Sequence, residues 1–258
     1  MTPVLFLAHG SPMNAVRRNA FTSFLEGYAR ELGRPRALLV VSAHWESARL
    51  AASTAERPAT IHDFYGFPPE LFALRYPAPG APDVARRALE LLRQAGLEAE
   101  EAREQGFDHG AWSPLLRLVP AADVPVAQLS LLFRAPLARH LEVGRALAPL
   151  RDEGIVVIGS GNVVHNLRTA DFGSPDAPAE PWAKQVDDWV RDAVLRRDHA
   201  ALARLPGDAP HGALAHSTLE HYAPLLVAAG VAGPAAQPSF PFEGFEHATL
   251  SMRCVRWD

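Results

Sequence analysis

Short unbroken apolar runs alternate along this chain with longer stretches in which apolar positions recur every three or four residues. Val4–Ala8, Ala37–Ala43, Val124–Leu131 and Gly154–Ile158 are runs of the first kind. A run without alternation predicts a strand covered on both faces. Asn19–Leu32 is of the second kind, with Phe21, Phe24, Leu25, Tyr28 and Leu32 on one helical face and Gly33 as its stop. Pro82–Gln94 begins with proline in its first turn and halts at Gly96. Pro136–Leu150 and Trp182–Arg197 predict two further helices. Shorter strands are expected over Arg49–Ser53 and Ala248–Arg256. Ser217 and Glu220 have capping-box spacing, which predicts a helix from there to about Ala229. Strand and helix in alternation predict an α/β fold, one domain over residues 1–258, with a largely parallel central sheet and helices on both faces.

Three of the apolar runs lead into a histidine: His9, His44 and, past Gly159-Ser160-Gly161-Asn162, His165. In open α/β sheets the carboxyl rim of the strands is where ligands bind. A buried imidazole without a partner is costly, and neutral imidazole is the commonest metal ligand. His109 lies in a glycine-flanked stretch expected to be a loop that exposes a side chain. His221 falls in the first turn of the helix predicted after Ser217. His140, expected on the outer side of its helix, reads as a surface or satisfied residue, as do His199, His211 and His247. His62 and His216 stay open. The aromatic segment Ile61–Pro68 suits either a packed loop or a wall for a flat substrate.

Composition narrows the field. The chain has 258 residues, 48% of them hydrophobic, and a net charge of −4 without a basic run. That argues against nucleic-acid and anionic-membrane partners. No apolar stretch approaches a membrane span. The first strand begins within four residues of Met1, with no charged leader ahead of it, so a cytoplasmic location is expected. One cysteine, Cys254, against 11 histidines leaves nitrogen and oxygen as the available metal ligands. The Gly159–Asn162 stretch lacks dinucleotide-loop spacing and the Walker lysine, and no HExxH or GxSxG motif occurs.

Seven motifs then occur in order: His9-Gly10-Ser11-Pro12-Met13, Ser42-Ala43-His44-Trp45, His62-Asp63-Phe64-Tyr65-Gly66-Phe67-Pro68, Tyr76-Pro77-Ala78-Pro79-Gly80, Asp108-His109-Gly110-Ala111-Trp112, Gly159-Ser160-Gly161-Asn162-Val163-Val164-His165-Asn166 and Glu220-His221-Tyr222. Together they resemble the 4,5-DOPA extradiol dioxygenase family, a branch of the class III (LigB-type) ring-cleaving dioxygenases. The resemblance runs through essentially the whole chain. It implies a LigB-like fold and one divalent metal, Fe(II) for turnover or Zn(II) as found. It implies His9, His44 and His221 as ligands, and His165 as either a fourth ligand or the acid/base residue. Glu220 is the fallback ligand. His109 would be a catalytic histidine that binds or protonates substrate, and Trp45, Phe64 and Tyr65 would supply flat walls for the ring.

The implied reaction is insertion of O2 into a catechol, DOPA-like or otherwise, to give a semialdehyde acid. Histidine suits its proton steps because its pKa lies near neutrality. Two other readings use the same residues: a zinc-dependent hydrolase, and a non-enzymatic metal-binding interaction protein of the same fold. Small molecules are the expected partners, and the chain is expected to be a monomer or small homo-oligomer. Arg134 and Arg168 are the candidates for holding a substrate carboxylate.

Overall fold

The computed structural model describes residues 1–258. Its strands are β1 (Val4–Ala8), β2 (Ala37–Ser47), β3 (Leu50–Ser53), β4 (Ala99–Ala102), β5 (Val126–Leu132), β6 (Ile155–Gly161), β7 (Pro238–Phe242), β8 (Phe245–Glu246), β9 (Leu250–Ser251) and β10 (Cys254–Trp257). Eight of them form one sheet in the order β4-β3-β5-β2-β6-β1-β10-β7, while β8 and β9 pair separately. β5, β2, β6 and β1 run parallel, and β10 joins β1 antiparallel. The expected parallel sheet is thus its central half, with antiparallel edges.

The helices are α1 (Ala20–Leu32), α2 (Pro69–Ala73), α3 (Pro82–Gln94), α4 (His109–Leu118), α5 (Leu137–Leu147), α6 (Pro181–Leu195), three short ones, α7 (His199–Leu202), α8 (Leu205–Asp208) and α9 (Gly212–Ala215), and α10 (Ala223–Ala232). Strand side chains alternate between two cores. Val4, Phe6, Leu39 and Val157 join α3, α5, α6 and α10 on one face; Leu5, Leu7, Leu38 and Ile158 join α1 and α4 on the other. Every residue of α10 is buried, so this helix is apolar all round and lies inside the protein. No helix is long and apolar enough to cross a membrane.

Several expectations change. β2 does not stop at His44 but continues to Ser47, and its register with β5 slips between Val41 and Glu46. Such a bulge re-aims the side chains it lifts out of the ladder. His109 is the first residue of α4 rather than part of a loop, because Asp108 caps that helix by accepting from the Ala111 N–H at 3.2 Å. The Ser217 capping box does not form; a 3-10 turn, Leu219–His221, precedes α10 instead. The C-terminal strand is broken into β9 and β10.

His140 is buried at 3% exposure, not outward. Its neighbours in α5 predicted a solvent side, but Leu219 and Ala223 line the same small cavity from beyond it. Neither ring nitrogen has a hydrogen-bond partner. Burial pulls its pKa down to about 4, with nearby carbonyls of Pro136 and Leu132 offsetting part of the shift. Above pH 6.5 the ring is neutral whether folded or unfolded. Between pH 6.5 and 4 the unfolded chain takes up a proton that the folded chain refuses, so stability falls. Urea unfolding of His140→Leu at both ends of that interval should show an acid loss smaller by about 3 kcal/mol than in the parent protein.

Candidate metal centre

β2, β6 and β1 are neighbours, and their carboxyl ends bring distant histidines together. His9 lies one residue past β1, its N–H donating to the Gly161 carbonyl at 3.1 Å. His44 projects from the slipped segment of β2. His221 ends the 3-10 turn before α10, and its carbonyl accepts from the Asn162 N–H at 2.8 Å. A Cβ on Gly161 would stand 2.1 Å from that carbonyl oxygen. The glycines after Ile158 therefore serve close approach: without a side chain at Gly161, the His221 turn can reach the strand.

Two of the three rings have Nδ1 hydrogen-bonded, and the third has Nδ1 beside a carboxylate. Ser160 Oγ donates to the Gly110 carbonyl at 2.5 Å, which leaves it to accept from His9 Nδ1 at 3.1 Å. His221 Nδ1 lies 3.0 Å from Glu220 Oε1, and His44 Nδ1 lies 3.4 Å from Asp63 Oδ2. The hydrogen bonds favour the proton on Nδ1 of His9 and His221, the carboxylate beside His44 favours the same tautomer there, and Nε2 keeps the lone pair. One ring nitrogen from each of His9, His44 and His221 lies within 4.8 Å of the other two, a spacing that could hold a metal ion. His9 Nε2 and His44 Nε2 are 3.1 Å apart. Burial, then the neighbouring rings, pulls His9 and His221 well below the usual histidine range, and burial followed by His109 does the same for His44. Neutral nitrogens facing one another at this spacing fit a cation between them: two ligands each about 2.1 Å from an ion sit roughly 3 Å apart.

His109 belongs to an adjoining network. Its backbone N–H and Nδ1 donate to the two oxygens of Asp63, both at 2.9 Å, so its Nε2 is the free nitrogen. Burial works to raise the Asp63 carboxyl, but hydrogen bonds from His109 and the charges of His109 and His44 outweigh it and hold it at about 2. Asp63 is thus an anion that orients two rings. Asp108, behind His109, accepts from Ser42 Oγ at 2.6 Å and Gln128 Nε2 at 2.7 Å. His165 stacks on His221 with centroids 3.5 Å apart and planes 5° from parallel. Burial, then His216 and His109, pulls His165 down to about 3.

Glu246, 8% exposed, anchors the turn that follows His9. Its carboxylate accepts from the Ser11 N–H at 3.4 Å, Asn14 Nδ2 at 3.1 Å and Asn19 Nδ2 at 3.2 Å. Asn19 is also the N-cap of α1.

The histidines open into a pocket of about 500 Å³. Phe64 and Tyr65 line it, Phe64 edge-on to His109 at 5.6 Å between centroids. Trp45 does not line it: this side chain borders a separate surface depression with Ala51 and Glu101, because consecutive strand residues face opposite ways. Arg134 lines the other side of Glu220, in a second cavity of about 390 Å³ shared with His140, and Arg168 lines neither. Sequence reasoning missed the orienting roles of Asp63, Ser160 and Glu220. Asp63 could have been found from its place inside the aromatic motif. It also missed Leu167, Phe172 and His247 on the pocket wall.

Comparison with known proteins meets this geometry. Residues 1–253 match the family described as the catalytic LigB subunit of aromatic ring-opening dioxygenase. A curated relative from Escherichia coli (strain K12), named 4,5-DOPA dioxygenase extradiol, is 42% identical, the match covering 98% of this chain and 94% of the relative. One of the same name from Portulaca grandiflora is 39% identical over the same shares. A crystal structure of an uncharacterized Escherichia coli K12 protein superposes with a TM-score of 0.83 at 38% identity, covering 99% of both chains. The chain belongs to the LigB family of aromatic ring-opening dioxygenases.

Proposed function

We propose that this ring-opening dioxygenase, acting as one unit over residues 1–258, cleaves a catechol beside its diol with O2. In this reading a divalent metal is held by Nε2 of His9, His44 and His221. The observation that carries it is the convergence of three buried imidazoles, two with Nδ1 hydrogen-bonded elsewhere and the third with Nδ1 beside the Asp63 carboxylate. When bound, Fe(II) supplies positive charge that favours the ionised catechol and the electron path to O2.

The protein's own groups account for the rest. Parallel stacked rings send their in-plane lone pairs along lines that do not meet, so His165 stands outside the ligand set that includes His221. This departs from counting His165 as a fourth ligand. Kept neutral by burial, His165 offers a lone pair that can accept a hydrogen bond from a substrate hydroxyl and hold it in place. His109, with Asp63 behind Nδ1, turns Nε2 to the substrate, where it takes a proton from a catechol hydroxyl and returns that proton as the ring opens. Phe64, on the pocket wall, covers the aromatic plane. Glu220 orients His221 rather than ligating.

Anaerobic loading with Fe(II), then a catechol and O2, should give a yellow ring-opened product with one O2 consumed per catechol. Absence of turnover across a catechol panel with iron bound, or oxygen-independent hydrolysis with zinc, would overturn the reading. Metal titration separates ligands from the substrate-facing histidines: His9→Ala or His44→Ala should abolish stoichiometric binding. His165→Ala and His109→Ala should keep the metal and lower kcat by about 10²–10⁴-fold. Glu220→Gln, which removes the anion behind His221, should weaken metal affinity roughly 10–100-fold in a competition assay.

A further inference from the structure

We infer that the cavity behind Glu220, on the side away from the histidine pocket, is a second ligand site, suited to a small protonated amine with an apolar body and a hydroxyl group. Its occupation is coupled to the metal centre through Glu220, a coupling that rests on the metal reading above.

The cavity holds about 390 Å³, within the usual range for small-molecule sites. Its polarity changes from floor to mouth. His140 lies on the floor, with Leu137 and Ala223 as buried neighbours on the wall. Burial keeps this ring neutral at working pH, so one nitrogen carries a proton and the other a lone pair. The nearby carbonyls of Pro136 and Leu132 can only accept. Neither ring nitrogen is hydrogen-bonded, so nothing in the fold donates to the lone pair. An acceptor left alone at this depth calls for a donor brought from outside, and a ligand hydroxyl is one.

At the mouth the charged groups are Glu46, Glu220 and Arg134. Two carboxylates against one guanidinium leave an excess of one negative charge. Arg134 lies over the Phe133 ring, its guanidinium carbon 5.0 Å from the centroid, so its charge already has a partner. The two groups of residues whose ligand atoms all lie within 4.8 Å of one another both include His44, and neither includes a residue of this cavity. The acceptors here are thus too dispersed for a metal ion and suit an extended organic cation. Its hydroxyl meets His140, its carbon chain covers the apolar wall, and its ammonium meets the carboxylates at the mouth.

Glu220 stands between the two sites. It lines this cavity, while its Oε1 lies 3.0 Å from His221 Nδ1. An ammonium beside Glu220 offsets the charge that supports His221 and so weakens metal binding. By linkage, the metal weakens amine binding by the same factor.

Calorimetry with 6-amino-1-hexanol near neutral pH, on metal-free and zinc-loaded protein, tests the site. Three matched probes accompany it: hexylamine lacks the hydroxyl, 1,6-hexanediol lacks the charge, and 6-hydroxyhexanoate reverses it. The amino alcohol should bind about tenfold more tightly than each of them. Glu46→Gln, at an exposed position, and His140→Leu should each lower that affinity about tenfold. In a competition assay, saturating amino alcohol should weaken zinc affinity by about threefold or more, and the same concentration should have less effect on Glu46→Gln. Binding of no probe would mark a cavity filled by water alone, and tighter binding of 6-hydroxyhexanoate would assign it to anions at Arg134. Either result overturns the inference, as does an affinity unchanged in both variants. Zinc affinity indifferent to the amine would overturn the coupling. A protein that binds the amine but no zinc would instead remove the metal reading and leave this site standing.

Discussion

The centre depends on where three protons sit. An imidazole can offer a lone pair from either nitrogen, and only a partner behind the ring decides which. Ser160, Asp63 and Glu220 make that decision for His9, His44 and His221, each from a different part of the chain. With an oxygen beside each Nδ1, the Nε2 atoms of His9 and His44 face each other at 3.1 Å, and burial disfavours protonation of all three rings. Nitrogen lone pairs set this close together are stabilised by positive charge placed between them. The fold stores a preference for a cation before any cation arrives.

The sheet does the positioning with ordinary devices. Adjacent parallel strands end together, a register slip turns His44 out of the ladder, and a glycine at 161 lets a turn come within hydrogen-bonding reach of β6. Asp63 then joins the ligand cluster to His109, so that the residues proposed to hold the metal and the residue proposed to move a proton share one carboxylate. A change in the position of either ring is felt by the other.

Much of this was legible in the sequence. Continuous apolar runs marked β1, β2, β5 and β6, and the histidines at their ends marked the rim. What was not legible followed from contacts that no local pattern encodes. His140 is buried because a segment some eighty residues later, around Leu219 and Ala223, lies near it. His109 starts a helix because Asp108 caps it, a signal that its flanking glycines obscured. Trp45 was grouped with His44 by adjacency, yet adjacency on a strand separates side chains. The Ser217–Glu220 spacing was that of a capping box, but Glu220 is engaged with the His221 ring, and the backbone there takes a 3-10 turn.

The anchoring of the first histidine turn by Glu246, and the pairing of β1 with β10, join the two extremities of the polypeptide. During synthesis β1 leaves the ribosome long before either partner exists. At about 5–20 residues per second, His9 waits on the order of 10–40 s for His221 alone. The rim is therefore a late assembly, and a nascent chain caught short of β10 would present His9 without the paired strand and the Glu246 anchor that hold its turn. The order in which the rim comes together is set by topology rather than by nearness along the chain.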